Sequence, residues 1–131
     1  MMAVCLVLLL PPLFFISQIL LELIGRPELN AFGEDGRNLF AHTPTASLIA
    51  PFVRAPVLIA CLVLLHFRSS WIVAAFVVAA TVHLVSWLSI LTNNYFTLPT
   101  GYATLAAEAI GAYLLLRFPE LRGQKTLRAD R

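Results

Sequence analysis

Four long apolar runs, separated by short polar segments, frame this chain. They cover roughly residues 2–24, 46–67, 71–92 and 100–116. The hydrocarbon core of a bilayer, about 30 Å thick, takes roughly 20 helical residues to cross. The first three runs reach that length. The fourth is shorter, so it is expected to stand nearly upright or to extend into Phe118. The pattern predicts an all-α integral membrane fold: one domain of four transmembrane helices in an antiparallel bundle. A loop over 25–45 joins the first two helices, and a basic tail follows over 117–131. The runs differ in length, proline content and polar positions, which argues against a duplicated pair of two-span halves.

Composition narrows the class further. The 131 residues are 60% hydrophobic and only 12% charged, with a mean hydropathy of +0.85. Soluble chains are about 45–50% apolar and about 25% charged. A soluble enzyme, a secreted disulfide scaffold and an independent nucleic-acid-binding domain are thereby excluded, and no nucleic-acid partner is expected. Cys5 and Cys61 lie in apolar runs with neither a C-x-x-C spacing nor a His at metal distance. They read as reduced, lipid-buried small hydrophobes. No Lys or Arg precedes the first run and no small-x-small site precedes Glu22, so that run is kept as a span rather than a cleaved leader.

The net charge of +2 is unevenly placed. Arg117, Arg122, Lys125, Arg128 and Arg131 follow the fourth run, and Arg68 lies in the turn His66–Ser70 on the same side. The opposite side has Arg26 and Arg37 in the first loop and no Lys or Arg between residues 93 and 99. Basic residues accumulate on the cytoplasmic side. Both termini are therefore expected in the cytoplasm, with the bacterial inner membrane the expected location. The tail satisfies this rule and can also attract anionic headgroups.

Gly25, Pro27, Gly33, Gly36 and Pro44 punctuate the first loop, which predicts a turn, a short helix near 27–32 and irregular chain. It reads as a connector in the membrane interface, with a lid over the bundle mouth as the functional alternative. Pro11 and Pro12 deprive the carbonyls of Val7 and Leu8 of helical donors, and Pro56 does the same to Phe52, so kinks are expected. Gly101, Ala103, Thr104, Ala106, Ala107, Ala109, Gly111 and Ala112 give the fourth run a small-residue surface that allows close helix approach.

The polar residues inside the runs are the most informative. Ionisable groups at this depth are costly and seldom face lipid. Counting about 1.5 Å per residue, Arg54, His83 and Glu108 fall at nearly one level in the outer half of the bilayer. Gln18 and Glu22, at i and i+4 on the first helix, lie just above it. Arg54 and Glu108 suit a charge-assisted pair, with His83 hydrogen-bonding the carboxylate or titrating beside it. His83 shares a helical stripe with Ala79, Ala80, Ser86 and Trp87, and Glu108 shares one with Gly101, Thr104 and Gly111. Two readings stay open: structural glue that neutralises itself and fixes helix register, or a polar pocket bounded by Gln18, Glu22, Arg54, His83 and Glu108.

Several chemistries lack their residues. A bis-His haem needs two histidines at one depth, but His66 lies at the cytoplasmic end, His83 past mid-span and His42 in a loop. A dithiol oxidoreductase needs C-x-x-C, and no phosphate loop or nucleophile motif is present. Small multidrug exporters place a carboxylate near the middle of their first span, whereas Glu22 lies near the outer end. No cofactor and no metal set is expected. The four-span plan, with Phe52-Val53-Arg54-Ala55 in the second span and Ala106-Ala107-Glu108-Ala109 in the fourth, resembles the small DoxX-like membrane proteins of bacteria. Many of those carry Gly-Gly after the span-two polar residue and Arg in span three, where this chain has Pro56-Val57 and His83. The resemblance implies a compact four-helix fold and roles beside quinone-linked or sulfur redox systems.

The leading expectation is thus a non-enzymatic accessory subunit or small-ligand binder. Its expected partners are the bilayer, a membrane-protein partner or a second copy, and a small molecule. A small proton-coupled transporter using Glu108 and His83 is the alternative. A membrane enzyme with His83 and Glu108 as acid–base pair ranks last, because no nucleophile accompanies them.

Overall fold

The computed structural model describes residues 1–31, 40–91 and 99–122. The described elements are helical throughout: α1 Met2–Leu23, α2 Thr45–His66, α3 Ile72–Leu91 and α4 Pro99–Arg117. Short 3₁₀ turns follow α1 at Pro27–Leu29 and α4 at Pro119–Arg122. The short helix anticipated near 27–32 is therefore a single 3₁₀ turn within the described part of the loop. Residues 32–39, 92–98 and 123–131, with the rest of the two loops and most of the basic tail, lie outside the described residues.

Two helix ends show how the chain turns out of its long helices. At the end of α1, Gly25 takes φ +71°, and the amides of Gly25 and Arg26 donate back to the carbonyls of Glu22 and Leu21. The end of α2 repeats this geometry with Arg68 at φ 50°. There the Arg68 and Ser69 amides donate to the Leu65 and Leu64 carbonyls. Both are Schellman stops, which satisfy the orphan carbonyls of a helix end by placing one residue in the left-handed region. The α1 and α2 helices otherwise run unbroken through Pro11, Pro12, Pro51 and Pro56.

The four helices run antiparallel. Cys5 and Leu8 of α1 cluster with Leu58 and Cys61 of α2, Ile72 and Phe76 of α3, and Leu115 of α4. That cluster places the start of α1, the end of α2, the start of α3 and the end of α4 at one end of the bundle, here the terminal end. Leu23, Thr45, Leu91 and Pro99 mark the other, distal end. Helix α2 packs most extensively on α3 and then on α1, while α4 packs on α1 and more sparingly on α3. At Gly111, an added Cβ would lie 2.5 Å from Phe76 Cζ and 3.2 Å from a Val4 methyl. The missing side chain is what lets α4 approach α1 and α3.

Each helix buries one stripe, and the stripe changes character along its length. In α3 it passes from Ile72, Phe76 and Ala79 to half-buried His83 and Ser86. In α2 it passes in the opposite chain direction, from Cys61, Leu58 and Ala55 to Arg54 and Ser47. The terminal half of the interior is therefore apolar and the distal half polar. Both cysteines are free and fully buried, packed inside the terminal half rather than against lipid.

The exterior is apolar as well. Leu6, Leu10, Ile59, Val77, Val85 and Ile110, among others, are about half exposed or more. An apolar outside around a partly polar inside is the reverse of a soluble domain. Three helices, α1, α2 and α3, are long and apolar enough to cross a membrane. Helix α4 has the length, but Thr100, Gly101, Thr104, Glu108 and Gly111 dilute its apolar character. Exposed Phe67 and Trp71 sit at the terminal end. At the distal end, Trp87 and Tyr102 meet edge to face with ring centroids 5.4 Å apart. Aromatic side chains are enriched at the two water–lipid interfaces.

Candidate functional site

Arg54 of α2, His83 of α3 and Glu108 of α4 converge in the distal half. Counted from the distal ends of their helices, they lie 8 or 9 residues deep, about 12–14 Å at 1.5 Å per residue. Arg54 Nη2 donates to Glu108 Oε1 at 2.7 Å, with side-chain exposures of 6% and 9%. His83 Nδ1 lies 2.9 Å from Glu108 Oε2. An ionised carboxylate only accepts, so this contact is a hydrogen bond in the form of the imidazole that carries a proton on Nδ1. Glu108 thus holds a different helix with each oxygen. The pair also spans the diagonal of the bundle, since α2 and α4 make little direct contact.

One donor of this group is left over. Arg54 Nε is buried and has no hydrogen-bond partner among the described residues. Buried polar groups are ordinarily paired, and leaving one unpaired costs about 1–3 kcal/mol. Arg54 and His83 also line a cavity of about 140 Å³. Its walls are Pro11, Pro12 and Phe15 of α1, Ala50, Pro51 and Ser47 of α2, Ser86, Trp87 and Ile90 of α3, and Thr104 of α4. The cavity extends from the level of Arg54 and His83 to Thr43 and Leu91 at the distal end. The lining is mostly apolar, with Thr43, Ser47, Arg54, His83, Ser86 and Thr104 as its polar side chains.

A second polar contact closes α2 against α3 beside this cavity. Ser47 Oγ lies 3.0 Å from the Ser86 carbonyl and 2.7 Å from Ser89 Oγ, which in turn donates to the Ser86 carbonyl at 2.7 Å. Serines at helix–helix contacts hold transmembrane helices by such bonds. Ser47 stands seven residues before Arg54 on the same stripe, the spacing that betrays it in the sequence.

The five residues singled out from the sequence divide in two. Arg54, His83 and Glu108 meet. Gln18 is buried but faces the first loop: its Oε1 accepts from the Ala31 amide at 2.7 Å, and its Nε2 donates to Ser17 Oγ at 3.1 Å. Glu22 is half-buried one turn further along α1. Neither lines the cavity. Gln18 is better described as an anchor for the loop leaving α1, a role that sequence depth alone does not separate from a pocket wall.

The fold and this site define a class: an all-α membrane protein with a buried polar group beside a half-open cavity. Comparison with protein-family models, characterised proteins and solved structures returns no match. The functional reading therefore rests on the geometry.

Proposed function

We propose that the chain is a four-span membrane protein with both termini in the cytoplasm. In this reading it binds a small ligand in the outer half of the bilayer and performs no chemistry on it. Helix α4 crosses as the fourth span because its polar residues Thr104 and Glu108 face inward, where Glu108 meets α2 and α3. The uneven Lys and Arg placement supports the orientation. Arg54 and Glu108, which carry the likeness to DoxX-like proteins, are the pair this reading sets beside the pocket, with Arg54 in its wall.

The observation that carries the binding reading is the cavity of about 140 Å³ with Arg54 and His83 in its wall. Pure glue would need the ion pair alone, packed without adjoining space. The test is to purify the full chain in mild detergent and identify small molecules retained with it, beside an Ala50→Phe chain whose cavity is filled. Binding predicts a species present with the unaltered chain and absent from the variant. Equal recovery from both places that species on the outside and refutes the pocket. Reporter fusions at Asn30 and after Arg131 test orientation, and an extracytoplasmic signal at Arg131 would overturn it.

The 2.9 Å contact between His83 and Glu108 favours a second reading, a small proton-coupled transporter. A proton passing between these groups would alternately bind and release Arg54. pH-dependent flux in proteoliposomes that disappears in Glu108→Gln would support it. Flux unchanged by that substitution would exclude the role.

A further inference from the structure

We infer that the ligand of this cavity is a neutral molecule that donates one hydrogen bond, from an alcohol or phenol hydroxyl, to Nε2 of His83. The inference rests on the binding reading above and adds the chemical class. His83 lies in the cavity wall, and its side chain keeps 12% exposure. Its Nδ1 is spent on Glu108 at 2.9 Å, and the shape of the ring turns Nε2 away from that contact. Nε2 has no hydrogen-bond partner among the described residues. Unlike Arg54 Nε, which is buried without a partner, it retains accessible surface. His83 borders this cavity and not the outer groove that Ile49, Val53, Thr81 and Val85 form between α2 and α3. The open edge of the ring therefore faces the cavity.

The charge count decides what Nε2 can do. Arg54 and Glu108 neutralise each other at 2.7 Å, and a third buried charge beside them would go uncompensated. The ring is therefore neutral, and the proton on Nδ1 that serves Glu108 leaves Nε2 a lone pair. Donation from Nδ1 into a carboxylate polarises the ring and strengthens that acceptor. It lies in a recess walled by Pro11, Pro12, Phe15, Trp87 and Ile90. An acceptor left unpaired in such surroundings is costly, so the site calls for a donor on an apolar body. Ketones and ethers have no proton to give. A cationic donor would find no free carboxylate, because Oε1 and Oε2 of Glu108 already accept from Arg54 and His83. The cavity is half-open, so the body can extend beyond it. The polar group, not the size, defines the class.

The experiment compares four probes on the full chain in nanodiscs, with binding followed by NMR. Ala50→Phe serves as the blank for partition into lipid. The probes are p-cresol (neutral donor), p-methylanisole (the same oxygen without its proton), p-xylene (similar outline, no oxygen) and p-toluate (anion). A chain with His42→Asn and His66→Asn leaves His83 as its only histidine, so isotope-labelled histidine reports on that ring alone. We expect p-cresol to bind about three- to tenfold more tightly than p-methylanisole, the factor carried by one hydrogen bond. The Nε2 resonance should move with p-cresol and stay in place with p-methylanisole. His83→Asn keeps an N–H donor near the position of Nδ1 but removes Nε2, and should bring p-cresol down to the level of p-methylanisole. Should that variant fail to fold, the ranking and the ring resonance decide. Equal binding of p-cresol and p-methylanisole overturns the donor class and leaves the binding reading standing. A His83 ring unmoved by bound p-cresol overturns the assignment of the acceptor. Tightest binding of p-toluate overturns the neutral ring. Saturable binding by none of the four, beyond the Ala50→Phe blank, overturns the binding reading itself and this inference with it.

Discussion

The terminal and distal halves of these four helices occupy the same bundle and are held by different forces. In the terminal half, Leu8, Leu58, Ile72 and Phe76 interlock around the two cysteines, and Gly111 lets α4 close on Phe76. In the distal half, Ser47, Arg54, His83 and Glu108 take the equivalent stripe positions, and a cavity opens beside them. Lipid tails are as apolar as leucine, so burying leucine in a membrane bundle brings no transfer gain from water and stability depends on close fit. The polar half is fastened by a few strong, directional contacts instead. Such contacts fix register without filling volume. That is how one bundle can be tight at one end and leave room for a ligand at the other.

The two halves should answer mutation differently. The largest effect is expected from removing one member of the ion pair. Arg54→Leu or Glu108→Leu leaves a lone buried charge and should each lower stability in detergent by about 3–5 kcal/mol, read from thermal unfolding. A loss below that of an ordinary surface substitution would mean the group is solvated. Next comes truncation in the terminal half. Leu58→Ala, at a fully buried position, should cost about 2–5 kcal/mol; a smaller loss would indicate that the neighbouring helices collapse into the space.

Enlargement separates the halves most sharply. Gly111→Ala must displace Phe76 and should cost about 1–3 kcal/mol. Ala50→Val, added into the distal cavity, should be nearly neutral while weakening ligand binding. Comparable losses for both would show that the distal half is as tightly filled as the terminal half. A small effect is also expected at the serine contact. Ser47→Ala should cost about 0.6 kcal/mol, the usual worth of an interhelical hydrogen bond in a membrane, and a much larger loss would make the serines a principal fastening.

How much of this was legible in the sequence follows from what each feature depends on. The helices Met2–Leu23, Thr45–His66, Ile72–Leu91 and Pro99–Arg117 agree with the apolar runs to within a residue or two, because run length and the flanking Gly and Pro set the ends. The meeting of Arg54, His83 and Glu108 was legible because depth is a simple count along a helix and three helices gave nearly the same count. Gln18 shows the limit of that count. Its depth is close to theirs, but its partner is the Ala31 amide, and no pattern in the loop announces that bond. A pocket beside Arg54 and His83 was one of two open readings, but its size and apolar walls were not legible. It is the space left after Pro11, Pro12, Ala50 and Trp87 have packed, a difference between side-chain shapes from four helices that no single run encodes.

The central claim is that Arg54 and Glu108 act as one unit in the polar half, and a double-mutant cycle tests it most directly. Thermal stability in detergent would be compared for the unaltered chain, Arg54→Leu, Glu108→Leu and the double variant. A mutually neutralising pair predicts that the double variant regains most of what each single variant loses, because no unpaired charge remains in low dielectric. Losses that simply add would contradict the pair and separate the two residues on which the site is built.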